Sequence, residues 1–519
     1  MSADLALVGG KVLTMNPLQP TASAVAIKGD RILEVGSFKA VGTRIDKNTK
    51  IIRLRGKTLI PGMIDTHIHV ADFGRILSWL SLHDVHSIKE IKRRLRQFIK
   101  KTSKGKWVIG RGWNEAGFTE KRLPTLCDLD EVSPDNPVVL YHESGQICVI
   151  NTMAAKLAGI SKRPGATFDD SRLGEFTGIL RDDSTNIVWN IIPSPNVEEV
   201  TRQAAFACEK IVEAGITSID WIILSPIEVS VVKTLRSRNK LPLRANIVAP
   251  ASLLQEISDL RLRFPNDKIL RILGAEIFAD GYLAAETAAL FEPYSDNCDL
   301  SGNLLCSSDE MIKTALKIRE AGLQLVIHAV GDKAVDSALT VFEQVVKEKN
   351  ENGPRYRMEQ AAVLNESLIE GIRKQGAVVS VQPRVVSSEF SVWSAERRLG
   401  RSRARWLFPL KTLVDEGVRV VAGSDCPMEQ LNPMLGIQAA VLREEFPEQR
   451  LSVENALRMY TIDAAYANSE EATIGSIEVG KLADITVLSA DPTSVPVNKI
   501  GEIGVEMTII SGKVAYSAR

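Results

Sequence analysis

The middle of the chain alternates two kinds of segment, and this alternation restricts the fold more than any other feature. Short apolar runs stand at Leu59–Ile64, Ile216–Ile219, Ile272–Phe278, Leu323–Ile327, Ala377–Val381 and Val418–Ala422. Longer amphipathic segments lie between them, at Ile88–Phe98, Val200–Ala214, Asp309–Ala321, Lys333–Lys347 and Ser367–Gln375. A short apolar run bounded by polar residues reads as a buried strand, and apolar residues at a 3.6-residue period read as a helix. Strand–helix alternation implies parallel strands joined by crossover helices. A doubly wound sheet and a (β/α)8 barrel satisfy it equally. Helix starts agree with the pattern: Ser87-Ile88-Lys89-Glu90 has the order of a capping box, and Ser452-Val453-Glu454 a looser form of it.

The two ends differ in kind from the middle. "LALVGGKVLTM" near the start and "MTIISGKVAYS" near the end are both β-rich, each with a Gly-Lys-Val turn. Residues 1–56 and 475–519 are therefore expected to build one discontinuous β-domain, with a large domain, 57–474, inserted between them. Residues from about Ser103 to Pro195 break the alternation and are rich in Gly, Pro and Asp clusters. They are expected to form an elaboration over one mouth of the large domain.

Composition bounds the partners. Lys+Arg and Asp+Glu both total 64, so the formal charge is zero. Nothing electrostatic then favours nucleic acid or an anionic membrane. The basic stretch Lys89–Lys101 is broken by apolar residues at helical spacing and reads as the solvated face of a helix. Six scattered cysteines without a Cys-x-x-Cys argue against a zinc ribbon or a redox pair and fit reduced thiols in a cytoplasmic protein. The opening MSADLALVGG lacks a secretory pattern, and no apolar run is long enough to span a bilayer. A homodimer is the default expectation for such a chain.

Polar groups gather where the apolar runs end. "LIPGMIDTHIHV" leads into His67 and His69, two of only six histidines. Ile272–Phe278 carries Glu276 and is followed by Asp280; Leu323–Ile327 ends at His328; Val418–Ala422 ends at Ser424 and Asp425. In a strand, residues i and i+2 point to one side, so two imidazoles spaced this way can reach one metal. Imidazole and carboxylate suit Zn²⁺, Fe²⁺, Mn²⁺ or Co²⁺. Water bound to such an ion becomes nucleophilic near neutral pH, and Asp425 could accept its proton and pass it to a leaving group. A lone His-x-His arises readily by chance; matching donors at the ends of separate strands do not. In a barrel those ends share the face where active sites sit.

Several stretches together resemble the metal-dependent amidohydrolase superfamily: "LIPGMIDTHIHV", "IFADGYLAAETAALFEPYSD", "LVIHAVGDKAVDSAL", "VVAGSDCPME", "GSIEVGKLADITVL", "GRGWNE" and "VSPDNPVVL". The nearest branch is the one with YtcJ-like proteins and N-substituted formamide deformylase. The resemblance covers nearly the whole chain. It implies a distorted (β/α)8 TIM barrel with a small β-sandwich from both termini, and so decides for the barrel. It also implies metal ligands His67 and His69 from the first barrel strand, His328 from the fifth and Asp425 from the eighth.

Three positions depart from the family pattern. Glu276 stands where the family usually has a lysine that bridges two metals once carboxylated; a glutamate supplies a carboxylate unmodified and is counted as a ligand. Gln360, in "RYRMEQ", replaces the histidine that binds a second metal. Gln146, in "ESGQICVINTMAA", replaces a histidine near the substrate. The expected cofactor is thus a divalent metal, zinc first and iron or manganese next, with one ion rather than two. The expected function is hydrolysis of a non-peptide carbon–nitrogen bond in an amide, formamide, or cyclic amide or amidine, with Asp425 as general base and then acid. Trp113, Gln146, Asp280, Tyr282 and Gln360 are assigned to substrate binding, and Arg384 and Trp393 lie in segments expected to approach it. Two other readings compete: a catalytically degenerate paralogue that binds a small molecule, and a mononuclear deaminase. His83 and His86 are expected in surface or interdomain contacts, and His142 in packing rather than at the active-site mouth.

Overall fold

The computed structural model describes residues 1–160, 176–346, 355–387 and 394–518; Lys347 and Trp393 fall outside the described residues. Eight parallel strands form the barrel sheet: β1 (Met63–Ile68), β2 (Ile216–Ile222), β3 (Arg244–Pro250), β4 (Leu270–Phe278), β5 (Gln324–Ala329), β6 (Arg357–Gln360), β7 (Val378–Val381) and β8 (Val420–Ala422). Each pairs with the next in chain order. The ring is drawn together just past β8. There the Asp425 N–H donates to the His67 carbonyl at 2.8 Å and the Ser424 N–H to Asp65 Oδ1 at 2.9 Å. Gly423 permits this approach, because a Cβ at that position would lie 2.5 Å from the His67 backbone nitrogen.

Helices follow the strands, as parallel pairing demands. Pro226–Ser237, Leu254–Arg263, Ser308–Glu320, Asp332–Val346, Glu366–Gln375 and Pro433–Leu442 each come after a barrel strand. Ser308–Glu320 shows why such segments are helical. Ser307 and Glu310 make a reciprocal capping box, and Met311, Ala315 and Ile318 fall on one buried face.

The termini share a second sheet of eight strands: Leu5–Leu13, Thr21–Lys28, Arg31–Gly36, Lys50–Arg53, Thr58–Pro61, Ile485–Leu488, Val505–Ile510 and Lys513–Ser517. The run Leu59–Ile64, expected as one strand, is divided between the two sheets. Thr58–Pro61 pairs antiparallel with Ile485–Leu488, and β1 begins at Met63. Gly62 marks the division, where a Cβ would meet Thr217 Oγ1 at 2.2 Å. The terminal sheet is also tied to β3 by a buried ion pair: Arg244 Nε lies 2.7 Å from Asp484 Oδ2.

Residues Gly74–Gln203 make a separate compact unit. Its five-stranded sheet runs in the order Ile179–Arg181, Ile147–Ile150, Val138–His142, Val108–Trp113, Leu80–Ser81. The unit starts well before Ser103, because Leu80 and Ser81 pair with Gly110 and Arg111 and the helix Ile88–Ile99 buries Ile88, Ile91 and Leu95 in its core. Ser87 caps that helix by accepting from the Glu90 N–H at 3.1 Å. Among the described residues, no helix is long and apolar enough to cross a membrane.

Candidate active site

Strand β1 delivers two imidazoles to the closing seam of the barrel. Asp65 anchors this end of the strand: its Oδ1 accepts both the His67 and the Ser424 N–H. Asp425 sits just beyond β8 with φ +54°, a left-handed conformation uncommon outside glycine and better tolerated by aspartate than by most residues. Its Oδ1 lies 3.2 Å from His69 Nε2 and 3.6 Å from His67 Nε2. Among the described residues, His67, His69 and Asp425 form the metal-competent group, with donor atoms all within 4.8 Å of one another. Donors bound at zinc-type distances of about 2.0–2.2 Å to one tetrahedral ion stand roughly 3.4 Å apart. The two separations from Asp425 to the imidazoles bracket that value. Two nitrogens and one carboxylate oxygen, nearly buried, therefore fit a divalent ion of the zinc, iron or manganese type.

His328, from β5, stands beside this trio but outside it. Its Nε2 is 3.4 Å from the Gly281 carbonyl, and its ring meets Tyr282 edge-on and tilts over Phe278. Burial lowers its pKa to about 4, although the Gly281 carbonyl opposes the shift, so the ring is neutral at physiological pH. Glu276, on β4, is buried with both carboxylate oxygens unpartnered. Burial first, and then the nearby Glu359 charge, push its pKa up to about 7. A carboxylate left bare in the interior is costly to keep unless something else engages it.

A residue that the motifs did not single out bears on His67. Glu359, on β6, is fully buried, and its Oε2 lies 3.2 Å from His67 Nδ1. Burial would raise Glu359, but Arg357 and His67 outweigh it and hold the carboxyl at about 2. Burial would likewise lower His67, and Glu359, Asp425 and Glu276 instead bring it up to about 9. The signal available in the sequence was the string "RYRMEQ", in which two charges fall on alternate positions of a strand otherwise expected to be apolar.

The residues assigned to substrate binding have varied placements. Asp280 is buried, and its carboxylate is engaged by three backbone N–H groups: Val330 at 2.9 Å, Gly331 at 2.8 Å and Ala289 at 2.8 Å. It fixes the turn that follows β5. Tyr282 is 55% exposed and flanks His328. Gln360 ends β6 with φ +73° and is almost buried. Arg384 pairs with Glu429 at 3.0 Å. Trp113 and Gln146 belong to the Gly74–Gln203 unit. Trp113 is fully buried in that unit's core, where its Nε1–H donates to the Leu140 carbonyl at 3.0 Å; Gln146 is exposed. In the same unit His142 packs edge-on against Trp113, and His83 and His86 are exposed.

A model of the Amidohydrolase family matches residues 50–516. This chain belongs to the amidohydrolase family. The amidohydrolase is 30% identical to the putative amidohydrolase YtcJ of Bacillus subtilis, over 98% of both chains. It is 26% identical to N-substituted formamide deformylase of Arthrobacter pascens, over 99% of this chain and 98% of the other. Among solved structures it resembles an uncharacterized metal-dependent hydrolase from Pyrococcus furiosus, with TM-score 0.78 and 30% identity, covering 94% of this chain and 100% of that one. The distorted barrel with a sheet domain from the termini is thus the family architecture. The amidohydrolase is a metal-dependent hydrolase acting on carbon–nitrogen bonds other than peptide bonds.

Proposed function

We propose that this amidohydrolase hydrolyses a small amide, formamide, or cyclic amide or amidine with one divalent ion, zinc first, held by His67, His69 and Asp425, with His328 as a further donor. The single observation that carries this is the convergence of one nitrogen from each of His67 and His69 and an Asp425 oxygen within 4.8 Å of one another. Bound by these residues, an ion of this type would supply Lewis acidity, polarising the scissile carbonyl and making water nucleophilic near pH 7. The protein's own groups do the rest. Asp425 accepts the proton of the attacking water at its carboxylate and returns it to the leaving nitrogen. Glu276, poised near neutrality by burial and by Glu359, orients that water through a hydrogen bond. Tyr282, exposed beside His328, offers an aromatic wall to the substrate. Gln360, an amide where an imidazole would serve a second ion, favours one ion over two. All six cysteines are free thiols, which supports the cytoplasm as the compartment.

The test begins with metal analysis of protein purified without chelator, where about one equivalent is expected. Turnover is then measured on N-substituted formamides, N-acyl amines, cyclic ureas and aminated rings. The formamide arm is included because one full-length relative is an N-substituted formamide deformylase. Ammonia release from the aminated rings alone would favour a deaminase. Metal-free protein, inert on every arm, would sink the catalytic reading and favour a small-molecule binder.

A further inference from the structure

The barrel interior carries more charge than a set of metal donors requires. We infer that Asp220 and Arg357 are positioning residues of the metal centre: acting through Glu359, they fix the orientation and tautomer of His67 so that its Nε2 lone pair faces the ion. This role presupposes the metal-hydrolase reading given above.

The contacts form one continuous ladder. Asp220, on β2, accepts at Oδ1 from Asn246 Nδ2 (3.0 Å) and Asn468 Nδ2 (2.7 Å). Its Oδ2 accepts from Arg357 Nη1 at 2.6 Å. Arg357 Nη2 pairs with Glu359 Oε1 at 2.5 Å and also donates to the Thr66 carbonyl, next to His67 in β1. Glu359 Oε2 closes the ladder on His67 Nδ1 at 3.2 Å. Asp220, Arg357 and Glu359 are all fully buried.

Stability alone gives a poor reason for this arrangement. Barrel interiors are ordinarily filled by branched apolar side chains. A buried ionic triad is often no more stabilising than apolar residues of the same volume. The ladder instead ends on a metal donor. An imidazole whose far nitrogen is held by a carboxylate keeps its proton there, which turns the other nitrogen to the metal and raises its basicity. Glu359 can serve only while Arg357 stays beside it. Arg357 in turn is held in place by Asp220 at one end and the Thr66 carbonyl at the other. Asp220 has no hydrogen bond to any of the three metal-competent donors, so its effect must pass through the ladder.

The test is Asp220→Asn in the full chain, an isosteric change that removes the charge. Zinc affinity is read by chelator competition, and the ligand field by the visible bands of the cobalt-loaded protein. Far-UV circular dichroism and the thermal midpoint serve as controls. A folded variant with zinc affinity weakened about ten- to hundredfold and shifted cobalt bands is expected, in the range seen when outer partners of metal ligands are removed. Glu359→Gln should shift the bands further, and Glu359→Asp should restore part of the wild-type spectrum. A lower thermal midpoint with wild-type affinity and bands would overturn the inference and leave the hydrolase reading intact. Wild-type protein that takes up neither zinc nor cobalt would sink the hydrolase reading itself. Should Asp220→Asn fail to fold, nitrogen-15 histidine spectra of the zinc-loaded wild type decide instead, with the His67 signal identified by its loss in His67→Asn. Protonation at Nδ1 is expected, and protonation at Nε2 overturns the inference.

Discussion

Replacing Gly423 with alanine tests whether the proposed metal donors depend on how tightly the barrel closes. The new Cβ would lie 2.5 Å from the His67 nitrogen, 2.7 Å from its Cβ and 2.9 Å from its Cα. None of these atoms is the end of a flexible side chain. Ordinary carbon contacts begin near 3.5 Å, so the chain after β8 must retreat from β1 by about 0.5–1 Å. Two hydrogen bonds cross that seam, Asp425 N–H to the His67 carbonyl at 2.8 Å and Ser424 N–H to Asp65 Oδ1 at 2.9 Å. Overpacking costs about 1–3 kcal/mol, and each stretched bond about 1 kcal/mol. A loss of roughly 3–5 kcal/mol is expected in guanidinium unfolding followed by circular dichroism. The same retreat separates Asp425 from both imidazoles, so zinc affinity in chelator competition should also fall. A misplacement of about 1 Å at a reacting centre is worth roughly a hundredfold in rate. Wild-type unfolding midpoint together with wild-type zinc affinity would refute the reasoning, because it would show that the seam has room for the methyl group.

Other perturbations probe separate parts of the molecule. Glu276→Gln removes a buried carboxylate with no hydrogen-bond partner that sits near Glu359 and Asp425; the thermal midpoint of the chelated protein should rise while turnover falls at least about tenfold, a stability–activity exchange read by calorimetry and assay. Arg244→Leu leaves Asp484 buried without its guanidinium and should cost about 3–5 kcal/mol in denaturant unfolding, most of it regained in the double variant Arg244→Met/Asp484→Leu. Asp491 is pushed up by burial but held down to about 2 by Lys11, Ser494 and Thr493. A depressed folded pKa gives stability that is present above the unfolded value of 3.8 and lost as pH falls through about 2. The gap in unfolding free energy between wild type and Asp491→Asn should therefore close over that acid window and hold steady at neutral pH.

The order of strands and helices was legible because it depends on local pattern. A short continuous apolar run declares a buried strand, as in β4, β5 and β7, and apolar residues 3.6 apart declare the buried face of a helix. Strand β3 escaped this reading because Arg244 and Asn246 interrupt it. Both are buried, but each is satisfied from far along the chain, Arg244 by Asp484 and Asn246 by Asp220. Strand β6 was placed only through family resemblance, for the same reason. The division of Leu59–Ile64 between two sheets was equally hidden, since an apolar run does not say where one set of partners ends and another begins.

The candidate site was legible to the level of the backbone and no further. A motif places a residue at a strand end, and that sufficed to bring His67, His69 and Asp425 together. It does not set the side-chain torsions, and so His328 faces the Gly281 carbonyl while remaining a neighbour of the trio. The charges behind the site were harder still to read. Asp220 and Arg357 are 137 residues apart, and His67 and Glu359 are 292 apart. Neither pair leaves a spacing that a single sequence can show. Read for likeness to a family, "RYRMEQ" draws the eye to Gln360, the residue that differs. In the fold the consequential pair is Arg357 and Glu359, because a buried charge is costly unless it is paired, and here the last partner in line is the imidazole of His67, a proposed metal ligand.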